Sequence, residues 1–110
     1  MCGCEEPDAR FDQFREWRSL PIDGSEGRFA DVVVLECLSC GHLWVRYHVE
    51  YEGVSKSGRW ARGRIEAAQA TTIRSDEVPG YLAGLANYLF GGSRFDGASG
   101  SRSGPMHWGA

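Results

Sequence analysis

Four cysteines are the residues best placed to do chemistry in this sequence of 110 residues, and they fall into two close pairs, Cys2-x-Cys4 and Cys37-x-x-Cys40-Gly41. A Cys-x-x-Cys-Gly segment at a hairpin tip turns both sulfurs toward one point, and the glycine takes a backbone conformation that a side chain would resist. Two such pairs supply the four soft ligands of a tetrahedral structural zinc. The first pair is one residue tighter than usual, so the metal would staple residues 1 to 4 over the hairpin tip. The same four thiolates would also serve an iron–sulfur cluster, and cysteines in this pattern can also stand as disulfides or free thiols. His42 lies close enough along the chain to replace one cysteine. His48 does not, because six residues of extended strand span about 20 Å; it reads as a solvent-facing strand residue.

The elements that must position these sulfurs follow from periodicity. Asp31 to Cys37 is a β-branched apolar run, expected to be a strand covered on both faces. Leu43 to Tyr51 alternates, with Leu43, Val45, Tyr47, Val49 and Tyr51 on one side and Trp44, Arg46, His48 and Glu50 on the other. The two form a hairpin turning at Leu38 to His42. After a turn at Gly53 to Gly58, Arg59 to Glu66 reads as a third strand, and Gln69 to Arg74 as an extension of the sheet. Ahead of the hairpin, Phe11, Phe14, Trp17 and Leu20 recur three apart, which predicts a helix from Pro7 stopped by Pro21. A second helix is predicted from Asp76 or Glu77, with Tyr81, Leu82, Leu85, Tyr88 and Leu89 on its apolar face and Gly91-Gly92 at its end. The fold expected is α+β: an antiparallel sheet of three to four strands, two flanking helices and a zinc-knuckle-type hairpin.

Length and composition bound what such a fold can be. A chain of 12.2 kDa with 42% hydrophobic residues makes one domain. The last twenty residues hold six Gly and four Ser, so residues 1–96 are expected to form the domain and 97–110 a flexible tail, with Met106, His107 and Trp108 a small apolar island in it. The first residues lack the basic and apolar segments of a signal peptide and no apolar run could span a bilayer, so the expected location is the cytoplasm, away from membranes.

A net charge of −3 disfavours general nucleic-acid binding, which needs clustered cations. The charge is uneven: residues 1 to 55 hold eleven acids and five bases, net −6, and residues 56 to 110 four acids and seven bases, net +3. Such asymmetry suits orientation on a charged protein partner. Arg59, Arg62, Arg64 and Arg74, with Trp60 among them, are the one stretch compatible with phosphate and base stacking. No nucleophile, base and orienting acid can be assembled from the sequence, and Gly91-Gly92-Ser93 lacks the setting of a phosphate loop, so an enzyme is not expected.

Three stretches, Cys37-Leu-Ser-Cys-Gly-His-Leu-Trp44, Gly58-Arg-Trp-Ala-Arg-Gly-Arg-Ile65 and Tyr88-Leu-Phe-Gly-Gly-Ser-Arg-Phe95, resemble small bacterial proteins similar to the immunity proteins of polymorphic toxin systems. The cysteine pairs resemble zinc-ribbon modules as well. The first resemblance implies a cytosolic inhibitor that covers the active cleft of a toxin domain and has no catalytic residues of its own. Its binding surface is expected around Trp44, Trp60, Arg62, Arg64, Phe90 and Phe95, since aromatics and arginines dominate interface energies. The competing expectation is a zinc-ribbon accessory or regulatory protein that meets nucleic acid or the transcription machinery through Arg59, Arg62 and Arg64.

Overall fold

The computed structural model describes residues 2–108. Its α+β architecture is built on one antiparallel sheet of six strands laid side by side in chain order. The strands are β1 (Phe14–Ser19), β2 (Asp31–Cys37), β3 (Leu43–Val49), β4 (Arg59–Arg64), β5 (Tyr88–Gly91) and β6 (Ser99–Arg102). Two short helices, α1 (Ala67–Thr72) and α2 (Val78–Gly84), fill the connection from β4 to β5.

The predicted β2–β3 hairpin forms where its sequence pattern places it. Register pairs Val34 with Val45 and Val32 with Tyr47, so the alternating apolar set of β3 lies on one face with Val32 and Val34. That face packs on α1 and α2 through Ala70, Ile73, Val78 and Leu82, and it holds the main core. Gly63 in β4 allows the helix to come this close: a Cβ there would stand 2.5 Å from Leu85 and 2.6 Å from Leu82. Tyr47, fully buried, donates its hydroxyl hydrogen to Asp23 and accepts at 3.0 Å from Arg28 Nε, tying the β1–β2 connection to the core.

Three elements differ from expectation. The helix predicted from Pro7 to Leu20 is a short 3-10 turn (Phe11–Gln13) followed by strand β1. A bulge between Glu16 and Arg18 explains the misleading three-residue spacing, because one extra residue in a strand shifts its alternation by one. Phe14 and Leu20 are buried, whereas Phe11 is 76% exposed and belongs to no core. The second predicted helix is only its first half: it stops at Gly84, and Tyr88 to Gly91 pair with β4 as β5. Gln69 to Arg74, expected to extend the sheet, instead contributes to α1. The sheet consequently has six strands rather than three to four.

The segment expected to be a flexible tail carries β6, which pairs with β5 from Tyr88↔Arg102 to Gly91↔Ser99. Beyond it Met106 and Trp108 are buried, and the Trp108 ring stands edge-on to Tyr47 at 4.7 Å. Backbone carbonyls hold this stretch down. Tyr88 Oη donates to Gly104 O at 2.7 Å, Arg59 Nη1 to His107 O at 3.0 Å and Tyr51 Oη to Trp108 O at 2.8 Å. The ordering therefore comes from polar groups of the core together with the burial of Met106 and Trp108. No helix among the described residues is long and apolar enough to cross a membrane.

Candidate metal centre

The other face of the sheet carries the cysteines. Register places Phe14, Cys37, Leu35, Trp44, Arg62 and Leu89 on this side, and residues 2 to 9 fold across one end of it. A 3-10 turn over Gly3–Glu5 sinks Cys4 to complete burial. At the tip of the β2–β3 hairpin the Gly41 N–H donates to Cys37 O at 2.9 Å and Cys37 N–H to His42 O at 3.0 Å. Gly41 has φ +75, a left-handed conformation that closes the knuckle at little cost for glycine alone.

These two local folds bring the four sulfurs of Cys2, Cys4, Cys37 and Cys40 within 4.8 Å of one another. Cys2 faces Cys37 at 3.5 Å and Cys4 faces Cys40 at 3.5 Å. All four are free thiols, held too far apart for S–S bonds. Tetrahedral Zn–S bonds of ≈ 2.3 Å would separate the sulfurs by about 3.8 Å, so the donor set fits a tetrathiolate metal with small adjustments. His42 does not take a cysteine's place. Its Nδ1 lies 3.3 Å from Cys40 Sγ, alongside the outermost ligand.

The thiols are electrostatically unequal. Burial opposes ionisation of Cys37, yet backbone N–H groups of Cys40 and Ser39 aimed at its sulfur outweigh that and lower its pKa to about 7. Burial, followed by the crowding thiols of Cys40, Cys2 and Cys37, pushes Cys4 strongly upward. One thiolate thus forms readily, while four together require a cation among them.

Arg62 supports the centre from the sheet. Its Nη2 donates to Cys4 O at 3.0 Å and to Glu6 O at 2.9 Å, fastening the amino-terminal segment to β4. The guanidinium carbon lies 5.0 Å from the Phe14 ring, 5.2 Å from Trp44 and 5.3 Å from Trp60. Burial lowers its pKa to about 10, against the opposing pull of the nearby Cys4. Its charge is well placed to offset the excess negative charge of four thiolates on a divalent ion.

No family model, curated protein or solved structure matches the chain.

The structure distributes the residues expected at a partner surface over three settings. Trp44 and Arg62 are each 4% exposed and serve as packing around the sulfurs, out of a partner's reach. Trp60 is half-buried on the cysteine-bearing face, and exposed Arg64 lies beside Trp44 and 3.8 Å from Glu5. Phe90 lies on the helix face, in edge-on contact with Phe95 at 4.8 Å, so these two do not join Trp60. The arginine stripe likewise divides. Arg59 is fully buried, and Arg74 is engaged with Asp76 and Glu77.

Two further residues belong to this face without having stood out in the sequence. Arg46 sits in β3 between Trp44 and His48, half-buried, and Phe11 overhangs it from the amino-terminal turn. The alternation of β3 already puts Arg46 on the side away from the core. Phe11 carries no usable signal, because the β1 bulge makes it look like part of a helical stripe.

Proposed function

We propose that this chain is a zinc-clamped binding protein, and that its role is that of a cytosolic immunity protein that neutralises a toxin domain by covering its active site. The observation that carries the binding reading is the uncovered part of the cysteine-bearing face. There Val33, Arg46, His48 and Trp60 remain half-exposed on a rigid six-stranded sheet, and Phe11 and Ile22 stand 76% and 60% exposed at its border. An aromatic residue beside arginine on a preorganised surface is what interface hot spots are made of. Zinc is the metal that best suits four thiolates drawn from a knuckle and a second close pair, and its part is structural: it pins residues 2 to 9 over one end of the face, leaving the rest open. The resemblance of the hairpin, β4 and β5 segments to immunity proteins supports the choice of partner. Dispersal of Arg59, Arg62 and Arg74 into the interior and into ion pairs weighs against a nucleic-acid partner.

Co-expression with any toxin domain encoded beside this chain's gene tests the reading, and the lack of such a neighbour counts against it. The chain restores growth and co-purifies with the toxin, and Trp60→Ala lowers the affinity by about 2 kcal/mol without loss of metal. A chain that neither binds nor protects against any such neighbour overturns it.

A further inference from the structure

The uncovered face has a built interior feature of its own. Two depressions, of about 420 Å³ and about 140 Å³, run side by side across it and share Phe11, Phe14, Leu35 and Arg46 as walls. The floor is apolar. The smaller depression is flanked by Arg46, Arg62 and Trp60, and no acid lines it. Glu16 and Asp31 both line the larger one.

Arg46 is the unusual group. Half-buried and 5.9 Å from the Trp60 ring, its guanidinium makes no hydrogen bond and no ion pair among the described residues. Every other arginine with a comparable degree of burial donates to an oxygen, as Arg18 does to Ala70 O, Arg28 to Tyr47, Arg59 to Ser57 O and Arg62 to Cys4 O. Arg62, 4% exposed, also keeps its Nε without a partner. Burying a cation without a hydrogen-bonding partner is unfavourable, and burial here moves Arg46 below the ordinary arginine range although the Asp31 charge on the next strand pulls the other way. Asp31 and Glu16 share the larger depression with Arg46 but neither hydrogen-bonds it, so an incoming carboxylate would supply the missing acceptor from the side of the smaller depression, which no acid lines.

Resting on the reading of the chain as a protein-binding module, we propose that this trough receives an acidic side chain of the protein partner, its carboxylate on Arg46 and an adjacent apolar side chain of the same segment against Phe11, Phe14 and Leu35. The partner is thereby specified chemically: a segment with Asp or Glu next to an aromatic or branched aliphatic residue.

The capped peptides Ac-Gly-Phe-Asp-Gly-NH2 and Ac-Gly-Phe-Asn-Gly-NH2, titrated into the metal-loaded protein and followed by the Trp60 indole N–H resonance, test it. The Asp peptide binds about tenfold or more tightly than the Asn peptide, as expected of a charge-assisted hydrogen bond. Arg46→Gln brings the Asp peptide to the level of the Asn peptide, and Phe11→Ala, at an exposed site that folding does not need, weakens both. Equal binding of the two peptides overturns the proposal. So does a preference for Asp that survives Arg46→Gln, or absence of any shift at about 5 mM peptide. The readout needs no toxin: failure here with toxin rescue intact rejects the trough alone, and peptide binding without rescue rejects the immunity reading alone.

Discussion

The two faces of the sheet are held by different physics. On the helix face, Val34, Val45, Val49, Ala61 and Val78 are completely buried, and apolar contact with α1, α2 and Trp108 is enough to close the core. On the cysteine-bearing face the cover is a segment of a dozen residues whose regular structure is two 3-10 turns, and it meets the sheet at the four clustered sulfurs and through the Arg62 bonds to Cys4 and Glu6. A face closed by apolar packing is uniform and shut. A face closed at one end by a metal clamp can leave the other end open, with arginine and tryptophan in reach of solvent.

The largest effect is expected from removing the clamp. Cys37→Ser takes away a buried ligand, and because structural zinc binding contributes on the order of 10 kcal/mol to isolated zinc-binding peptides, the variant loses metal and the cover together. Metal content by atomic absorption and amide exchange over residues 2 to 14 check this; a variant that retains one equivalent of zinc and wild-type protection would show that the sulfurs are not what holds this face.

The complementary change strikes the helix face. Trp108→Ala removes an indole packed on Tyr47, at a cost of about 3–5 kcal/mol in denaturant unfolding, with metal still bound in the folded fraction. Loss of metal from the folded variant would mean that the two faces are one cooperative unit after all.

A smaller effect sharpens the comparison by pH. In metal-free protein, the unfolded Cys37 titrates near 9.0 and the folded one at about 7, so the folded state releases a proton that the unfolded state keeps. Stability from this group is fully present above pH 9 and is lost as pH falls through 7. Cys4 works in reverse: raised above 9.0, it keeps in the folded state a proton that the unfolded chain releases, which costs stability above pH 9. From these two groups the metal-free protein gains stability as pH rises from 7 to 9 and loses it above 9, so its maximum lies near pH 9. Cys37→Ser flattens the rise, and denaturant midpoints across pH 6 to 10 read it out; a profile unchanged by the substitution would remove Cys37 from the account.

What could be read from the sequence was what is local. The β2–β3 hairpin, its two faces and the two cysteine pairs all follow from alternation and from spacings of a few residues. Their convergence from opposite ends of a 35-residue separation was legible because metal chemistry demands four ligands. The first strand was hidden by the bulge after Glu16, which makes a strand look like a three-residue repeat. The final strand was hidden because its order comes from the ladder with β5, and the stretch beyond it is fastened by the hydroxyls of Tyr51 and Tyr88 and the guanidinium of Arg59, none of which a composition of Gly and Ser can announce. Arg46 was placed on the right side of β3 by pattern, but its lack of a partner is a property of the folded face alone.

The strand order has a kinetic consequence. Since β1 through β6 pair strictly with their neighbours in the chain, the sheet can grow by adding one adjacent segment at a time, the β4–β5 pair bridging the helical insertion between them. On this topology the ties that reach furthest, from residues 2 to 6 to the hairpin tip and β4, and from Trp108 to Tyr47, are expected to form after the sheet has paired. Interactions formed after the rate-limiting step govern how fast a protein comes apart, with little influence on how fast it forms. The proposed metal clamp would then act as a brake on unfolding: its removal is expected to shorten the lifetime of the folded state while leaving the folding rate nearly unchanged.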